Sequence, residues 1–400
     1  MIIKRFIFNE LVEDISKKYI SVLLGTRQIG KTTLLKKLSE YCAKNSIPYL
    51  FYDLEQPMDL MEFNKSESEV IKNLSQQDGV VFIDEFQYIK NASKIFKAIY
   101  DSANTKVKIF ASGSSSIEIH KHLKESLAGR KRTYNIFPLT YKELSEHSFS
   151  IDEYFIYGGL PGLVHEKEKK NKLRLLEDVL KSYILKDIRS LIKEENIRAF
   201  NHMLYILAQN QGQIISSASL ANDIGMSSKA VNHYLNVMKE TFILYPVYSF
   251  SNNMGNELKK SQKFYLYDFG IRNSILKDFS EISSRNDAGA IMESFVLYNL
   301  LPHIEQDTSI NFWRTREGDE VDFILLKNRK PIPIEVKTSW NDKHRLPKGL
   351  SIFLDRYKKT KKAFIFTLNK SAFSEILYNG IAVELVSDID DLKRRIMNLM

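Results

Sequence analysis

Gly25, Gly30, Lys31 and Thr32 stand at the spacing GxxxxGKT, which suits one chemistry above others, the holding of a polyphosphate. Glycines let the backbone bend sharply and aim successive N–H groups at the anion, and the helix that follows turns its positive N-terminal end toward the same place. Gly25, Thr26, Arg27, Gln28, Ile29, Gly30, Lys31, Thr32 and Thr33 would form the cradle. Lys31 would reach the β- and γ-phosphates and the Thr32 hydroxyl would ligate Mg²⁺, whereas Thr33 reads better as a helix-packing residue. The expected ligands are therefore ATP and Mg²⁺.

Two acids complete the chemistry. Val80, Val81, Phe82 and Ile83 run into Asp84 and Glu85, which describes a buried parallel strand whose carboxylates emerge at its C-terminal end. Asp84 would hold the Mg²⁺ shell, and Glu85 would polarise the attacking water. Val107 to Ala111 reads as a further strand ending in Ser112, which either senses the γ-phosphate or caps the next helix within the Ser112 to Ser116 turn. Arg130 is the first candidate to neutralise charge on the transferred phosphoryl group across a subunit boundary, Arg132 the second. A solvated basic turn is the competing reading for both.

A second constellation lies far downstream, in Glu320 to Lys337 (EVDFILLKNRKPIPIEVK). If 327–330 form the loop of an antiparallel hairpin, Leu326 faces Pro331 and Asp322 stands opposite Glu335. Val321, Phe323, Leu325, Ile332, Ile334 and Val336 would share an apolar face, and Glu320, Asp322, Glu335 and Lys337 the other. Facing carboxylates with Cβ atoms about 4.5–5.5 Å apart repel unless a cation lies between them. Oxygen ligands favour Mg²⁺ or Mn²⁺. Asp322 and Glu335 would hold the metal, Lys337 would orient water or stabilise a pentacoordinate phosphate, and Glu293 could complete the cluster. The alternative is a solvated sheet face on which Lys337 pairs with Glu320.

Several elements must position these groups. Ile20, Val22, Leu23 and Leu24 read as the strand before the phosphate loop, and Leu34, Leu35, Leu38 and Tyr41 as the helix after it. Tyr49 to Tyr52 reads as a second strand and Tyr134 to Phe137 as a fifth. The glycine and proline cluster Tyr157 to Gly162 marks a hinge or boundary. Helical patterns run from Leu173 to Ile192 and from Ile197 to Gln209. A helix through Leu220, Ala221 and Ile224, a turn at Gly225 and a helix from Lys229 to Thr241 follow, with a strand-like Phe242 to Phe250 and a turn at Asn252 to Asn256 as a wing. This order resembles a winged helix-turn-helix. Lys229, Asn232, His233, Asn236 and Lys239 would face outward, toward DNA or toward a protein partner. Ala363 to Leu368, Ile381 to Leu385 and a terminal amphipathic helix close the chain.

Four hundred residues exceed one ordinary core, and 44% apolar with 27% charged residues excludes a disordered chain. Lys and Arg outnumber Asp and Glu 58 to 49, a net charge of +9 that favours a polyanionic partner. The single cysteine, Cys42, allows no intrachain disulfide or cysteine–zinc cluster and suits the cytoplasm. No stretch suggests a signal peptide or membrane span.

The strings GTRQIGKTT, VVFIDEFQ, FASGSSS, LAGR, YGGLP, FYLYDFGIRN, GAIMESF and DEVDF with IEVK together resemble AAA-type archaeal and bacterial ATP-binding proteins whose C-terminal domain looks like the restriction-endonuclease fold, of PD-(D/E)xK type. Gln262 departs from that pattern, standing where relatives usually carry proline. The resemblance implies an α/β chain: a P-loop parallel-sheet ATPase domain over 1–150, a helical extension over 151–196, a winged helix-turn-helix over 197–260 and a nuclease-like domain over 261–400. It also implies ATP and Mg²⁺ at Gly25 to Thr33 with Asp84 and Glu85, and a nuclease-like site at Glu293, Asp322, Glu335 and Lys337. Two functions compete: an ATPase acting on duplex or branched DNA, a homo-oligomer if an arginine acts in trans, and a nucleotide-switched regulatory protein whose C-terminal domain only binds.

Overall fold

Val22, Leu23, Phe82, Ile83 and Phe110 are fully buried, as strands covered on both faces by helices require. They belong to β1 (Ile20–Gly25), β3 (Gly79–Asp84) and β4 (Val107–Ser114), which with β2 (Tyr49–Asp53) and β5 (Lys131–Asn135) form a parallel sheet ordered β2-β3-β4-β1-β5. The computed structural model describes residues 3–102, 105–114, 127–182, 196–250, 262–369 and 374–400. Ser115, Ser116, residues 183–192 of the expected helix and the expected turn at 252–256 lie outside them.

Because β4 lies between β1 and β3, Ser112 is carried into the space between the phosphate loop and Asp84. β1 leads into the loop and then into α1 (Lys31–Lys44), whose buried Leu34, Leu35, Leu38 and Cys42 recur at helical spacing. The fifth strand begins three residues earlier than Tyr134, since Lys131 to Asn135 pair with β1 from Ile20 to Leu24.

The chain divides into two units. One unit comprises Met1–Leu139, Leu160–Glu194 and Leu235–Ile243; the other Thr140–Gly159, Glu195–Tyr234 and Leu244–Met400. The cut between Gly159 and Leu160 falls inside the glycine and proline cluster.

Within the second unit, α2 (Ile197–Gln209), β6 (Ile214–Ile215), α3 (Ser217–Ile224), the start of α4 (Ser228–Glu240), β7 (Leu244–Ser249) and β8 (Gln262–Leu266) follow in the order helix, strand, helix, helix, strand, strand. β7 also pairs in parallel with β9 (Thr308–Arg314), so these strands continue a larger sheet. Among the described residues that sheet has nine strands, β13-β14-β12-β11-β10-β9-β7-β8-β6, with β10 (Glu320–Lys327), β11 (Lys330–Val336), β12 (Lys362–Phe366), β13 (Glu375–Tyr378) and β14 (Ile381–Val386). β7, before residue 260, and β8, after it, are thus neighbours in one sheet.

The hairpin of β10 and β11 has the expected register, Leu326 facing Pro331 and Phe323 facing Ile334. Its turn is shorter than expected: Lys327 pairs with Lys330, and Asn328 and Arg329 alone turn the chain, both at positive φ (52° and 60°) as a two-residue hairpin turn demands. The simple alternation fails at one place. Pairing with β9 shifts between Val321 and Ile324, and those two residues join the same core cluster with Leu350 and Phe353 of the helix Lys348–Arg356. A bulge therefore sits at Asp322 and Phe323. Ile324 and Leu325 are both fully buried, so neither face of the hairpin is a solvated polar one.

Candidate functional site

The phosphate loop has the backbone that its sequence demands. Gly30 sits at φ 93° as the N-cap of α1, and a Cβ on Gly25 would lie 2.6 Å from the Ile136 carbonyl oxygen. Lys31 is buried and its Nζ donates to the carbonyls of Gly25 (3.1 Å) and Thr26 (2.9 Å). A cleft of about 410 Å³ opens over Gln28, Gly30, Lys31, Thr32, Thr33 and Glu85. Ile29 is buried, and Arg27 lies 3.9 Å from Glu55. Three further cleft residues, Arg5, Lys37 and His165, belong to no motif and carry no spacing that could have revealed them. Arg5 donates to the carbonyls of Ile29 (3.2 Å) and Phe137 (2.7 Å), tying the N-terminal segment to the loop.

Asp84 accepts hydrogen bonds from Ser112 and from Thr32, so the hydroxyl at the end of β4 and the one on the loop converge on one carboxylate. Burial raises the Asp84 pKa, and those hydroxyls oppose the rise. Glu85 takes the left-handed conformation at φ 56°, a strain of about 1–3 kcal/mol that surrounding structure must impose. Its carboxylate is held by Gln87 and by the Ser114 N–H (3.2 Å), and Gln87 Nε2 also donates to Ser114 Oγ (3.1 Å).

Arg130 and Arg132 lie away from the phosphate loop of their own chain. The Arg130 carbonyl accepts from Ile20 N at the beginning of β1, about 17 Å along the strand from the phosphate loop at its other end. Arg130 pairs with Asp101 (2.7 Å), and Arg132 with Glu10, Tyr19 and buried Asp14.

In the second unit the four distant candidates come together. Glu293, on α5 (Ala288–Leu300), contacts Lys263 and Tyr265 of β8 and lies within electrostatic reach of Asp322 on β10 and Glu335 on β11. Burial comes first in raising the pKa of Glu293, Asp322 and Glu335. After burial, the Asp322 charge is the foremost cause raising both glutamates. Asp322 Oδ2 accepts from Val336 N (2.8 Å), and Lys337 Nζ lies 2.6 Å from Glu335 Oε1. Glu335 Oε2 is buried with no hydrogen-bond partner.

Sequence reasoning passed over Lys263 and Tyr265. Lys263 is 2% exposed, with its Nζ 3.4 Å from Glu293 Oε2 and in contact with Glu320 Oε1; Tyr265 Oη donates to Glu293 Oε2 (2.8 Å). Lys337 does not pair with Glu320, which is taken by Lys263 and by Arg314 (3.0 Å). A basic residue two before a tyrosine inside a strand was the available signal. Among the described residues, no three His, Cys, Asp or Glu side chains stand at the distances of a preformed metal site. The buried, unpartnered Glu335 oxygen is nevertheless the kind of atom that a divalent cation satisfies.

Along α4, Lys229, Asn232, His233 and Asn236 are exposed and Lys239 is half-buried. Asn232 Oδ1 accepts from Ser217 Oγ (2.7 Å) at the start of α3, and Lys239 Nζ donates to Asn236 Oδ1 (3.5 Å), so three of the five are already engaged within the fold.

An AAA domain family matches residues 17–145, and two families described as domains of unknown function, DUF8612 and DUF4143, match 148–282 and 288–384. The chain is similar to an uncharacterized protein of Haemophilus influenzae, 25% identical over 385 residues that cover 90% of this chain and 92% of the relative. A Mycobacterium tuberculosis uncharacterized protein is 24% identical over 320 residues, covering 80% of this chain and 70% of its own. Among solved structures, AMPPCP-bound DnaA from Aquifex aeolicus aligns with 58% of this chain and 86% of its own at 13% identity and a TM-score of 0.30, too slight a likeness to argue from. No helix among the described residues is long and apolar enough to cross a membrane. The AAA domain match over 17–145 makes the N-terminal region of the chain a P-loop NTPase, an ATP hydrolase.

Proposed function

We propose that this ATP hydrolase works on DNA, with the nucleotide state governing a winged helix and a nuclease-like site in the second unit. In the first unit Gly25 to Thr33 would bind the triphosphate, Thr32 and Asp84 would hold Mg²⁺, Ser112 would orient Asp84, and Glu85 would take the proton from the attacking water. Bound Mg²⁺ would offset phosphate charge there. The single observation that carries the nuclease-like reading is the grouping of Glu293, Asp322, Glu335 and Lys337, brought by one helix, two paired strands and the residue that follows the second. Asp322 and Glu335 would hold Mg²⁺ or Mn²⁺, and Lys337 would orient water against a phosphodiester. The helix and strand order of 197–266 supports a winged helix whose Lys229, His233 and Asn236 meet DNA.

The test is Mn²⁺-dependent nicking of supercoiled, linear and branched DNA. Wild-type protein should nick at least one form, Asp322→Ala or Glu335→Ala should not, and all three should hydrolyse ATP equally. Absence of cleavage by wild type on every form would leave the regulatory reading, a nucleotide-switched protein whose nuclease-like domain binds without cutting. The observation favouring that reading is specific: the acids are already engaged by Lys263 and Lys337, with no preformed triad among the described residues.

A further inference from the structure

We propose that Lys263 is a built-in cation standing where a second divalent ion would otherwise sit, so that the acidic cluster binds one metal. The inference rests on the nuclease-like reading. An ammonium as buried as that of Lys263 is costly unless carboxylates surround it. Here Glu293 and Glu320 do so, and the Phe312 ring lies beneath it at 5.4 Å from the centroid.

Asp322 feels the charges of both flanks. Lys263 and Lys337 are the foremost charges acting on it, whereas the foremost charges acting on Glu335 are Asp322 and Lys337. On the Lys263 flank the carboxylates of Glu293 and Glu320 both end on the ammonium; on the Glu335 flank a buried carboxylate oxygen has no partner. Two-metal phosphodiesterases bridge ions about 3.5–4 Å apart across a shared carboxylate, one ion serving the nucleophile and the other the leaving oxygen. With the Lys263 flank taken, the unpartnered Glu335 oxygen is the remaining place for an ion. Lys263 then supplies fixed positive charge toward the groove lined by Gln213, Arg314 and Arg316, where a phosphodiester can approach.

Counting bound Mn²⁺ on the full chain without nucleotide, by electron paramagnetic resonance titration, tests this directly. Ions that disappear in Asp322→Asn belong to the cluster. Wild type should hold one such ion, Lys263→Arg should also hold one, and Lys263→Gln should hold two. Two ions in wild type would overturn the role of Lys263 without any variant having to fold. One ion in a folded Lys263→Gln, bound as in wild type, would overturn it as well. No Asp322-dependent ion in wild type would overturn the metal reading itself, and the inference with it.

Discussion

Glu85 carries the sharpest expectation in the ATPase site. It lines the cleft, its backbone is held in a conformation that only a surrounding structure sustains, and Gln87 and Ser114 fix its carboxylate. A group placed to accept a proton contributes roughly 10²–10⁴-fold to rate. Glu85→Gln should therefore keep ATP binding, read by equilibrium dialysis, while ATP turnover falls by about that factor. Ser112 acts one step further out, through Asp84. Groups that orient a metal-holding side chain are worth about 10–100-fold in metal affinity, so Ser112→Ala should raise the Mg²⁺ concentration needed for half-maximal turnover by about that much, with turnover at saturating Mg²⁺ changed less. A serine that merely capped a helix would leave the Mg²⁺ dependence unmoved. The residues of this site were legible because phosphate binding constrains neighbours in sequence: GxxxxGKT is contiguous, and an acid pair ends an apolar run. Arg5, Lys37 and His165 were not, because they reach the cleft from segments whose local pattern says nothing of it.

The elements explain two motifs that chemistry alone did not. YGGLP and YDFG lie more than a hundred residues apart, yet Gly159 N donates to Asp268 Oδ2 (2.6 Å) while Asp268 Oδ1 caps the Phe269–Leu276 helix through Ile271 N (3.0 Å). Gly158 is at φ 79°, and a Cβ there would lie 2.3 Å from Asp268 Oδ1. Gly158→Ala must break this clasp and should destabilise the second unit by more than about 2 kcal/mol, measured as a lowered urea midpoint. Burial is the foremost influence on Asp268 and raises its pKa to about 6, with the N–H groups of Gly159, Ile271 and Gly270 pulling the other way. The folded value exceeds the unfolded one of about 3.9, so the folded chain holds the proton more tightly. Its contribution is complete below about pH 4 and is lost as pH rises through about 6, on the order of 3 kcal/mol. Urea titrations from pH 4 to 7 should show that slope in wild type and a flatter one in Asp268→Asn. The variant should also be weaker at every pH by about 1–3 kcal/mol, because an amide cannot accept from both N–H groups. The hairpin shows the opposite limit of legibility. Counting gave its register, but nothing in the string EVDF announces a bulge, which depends on pairing with a strand that begins at Thr308.

Across the whole chain, two sites with different chemistry should be separable by mutation and joined only by regulation. If ATP state governs the acidic cluster, Glu85→Gln held with ATP should change the nicking rate of a chain whose cluster is intact, and Asp322→Ala should leave ATP turnover as it was. The DNA half of the reading has its own measure. The excess of nine positive charges attracts any polyanion weakly, but a specific surface neutralises a defined number of phosphates. Binding to duplex DNA should weaken with salt at a log–log slope of about −0.9 per phosphate contact, and Lys229→Ala should make that slope shallower by about one contact. A slope near zero in wild type would remove nucleic acid as the partner, because a phosphate-binding surface cannot avoid releasing counterions. A clear slope that Lys229→Ala leaves unaltered would move the DNA surface away from α4 and toward the groove edged by Arg314 and Arg316, beside the cluster that Lys263 completes.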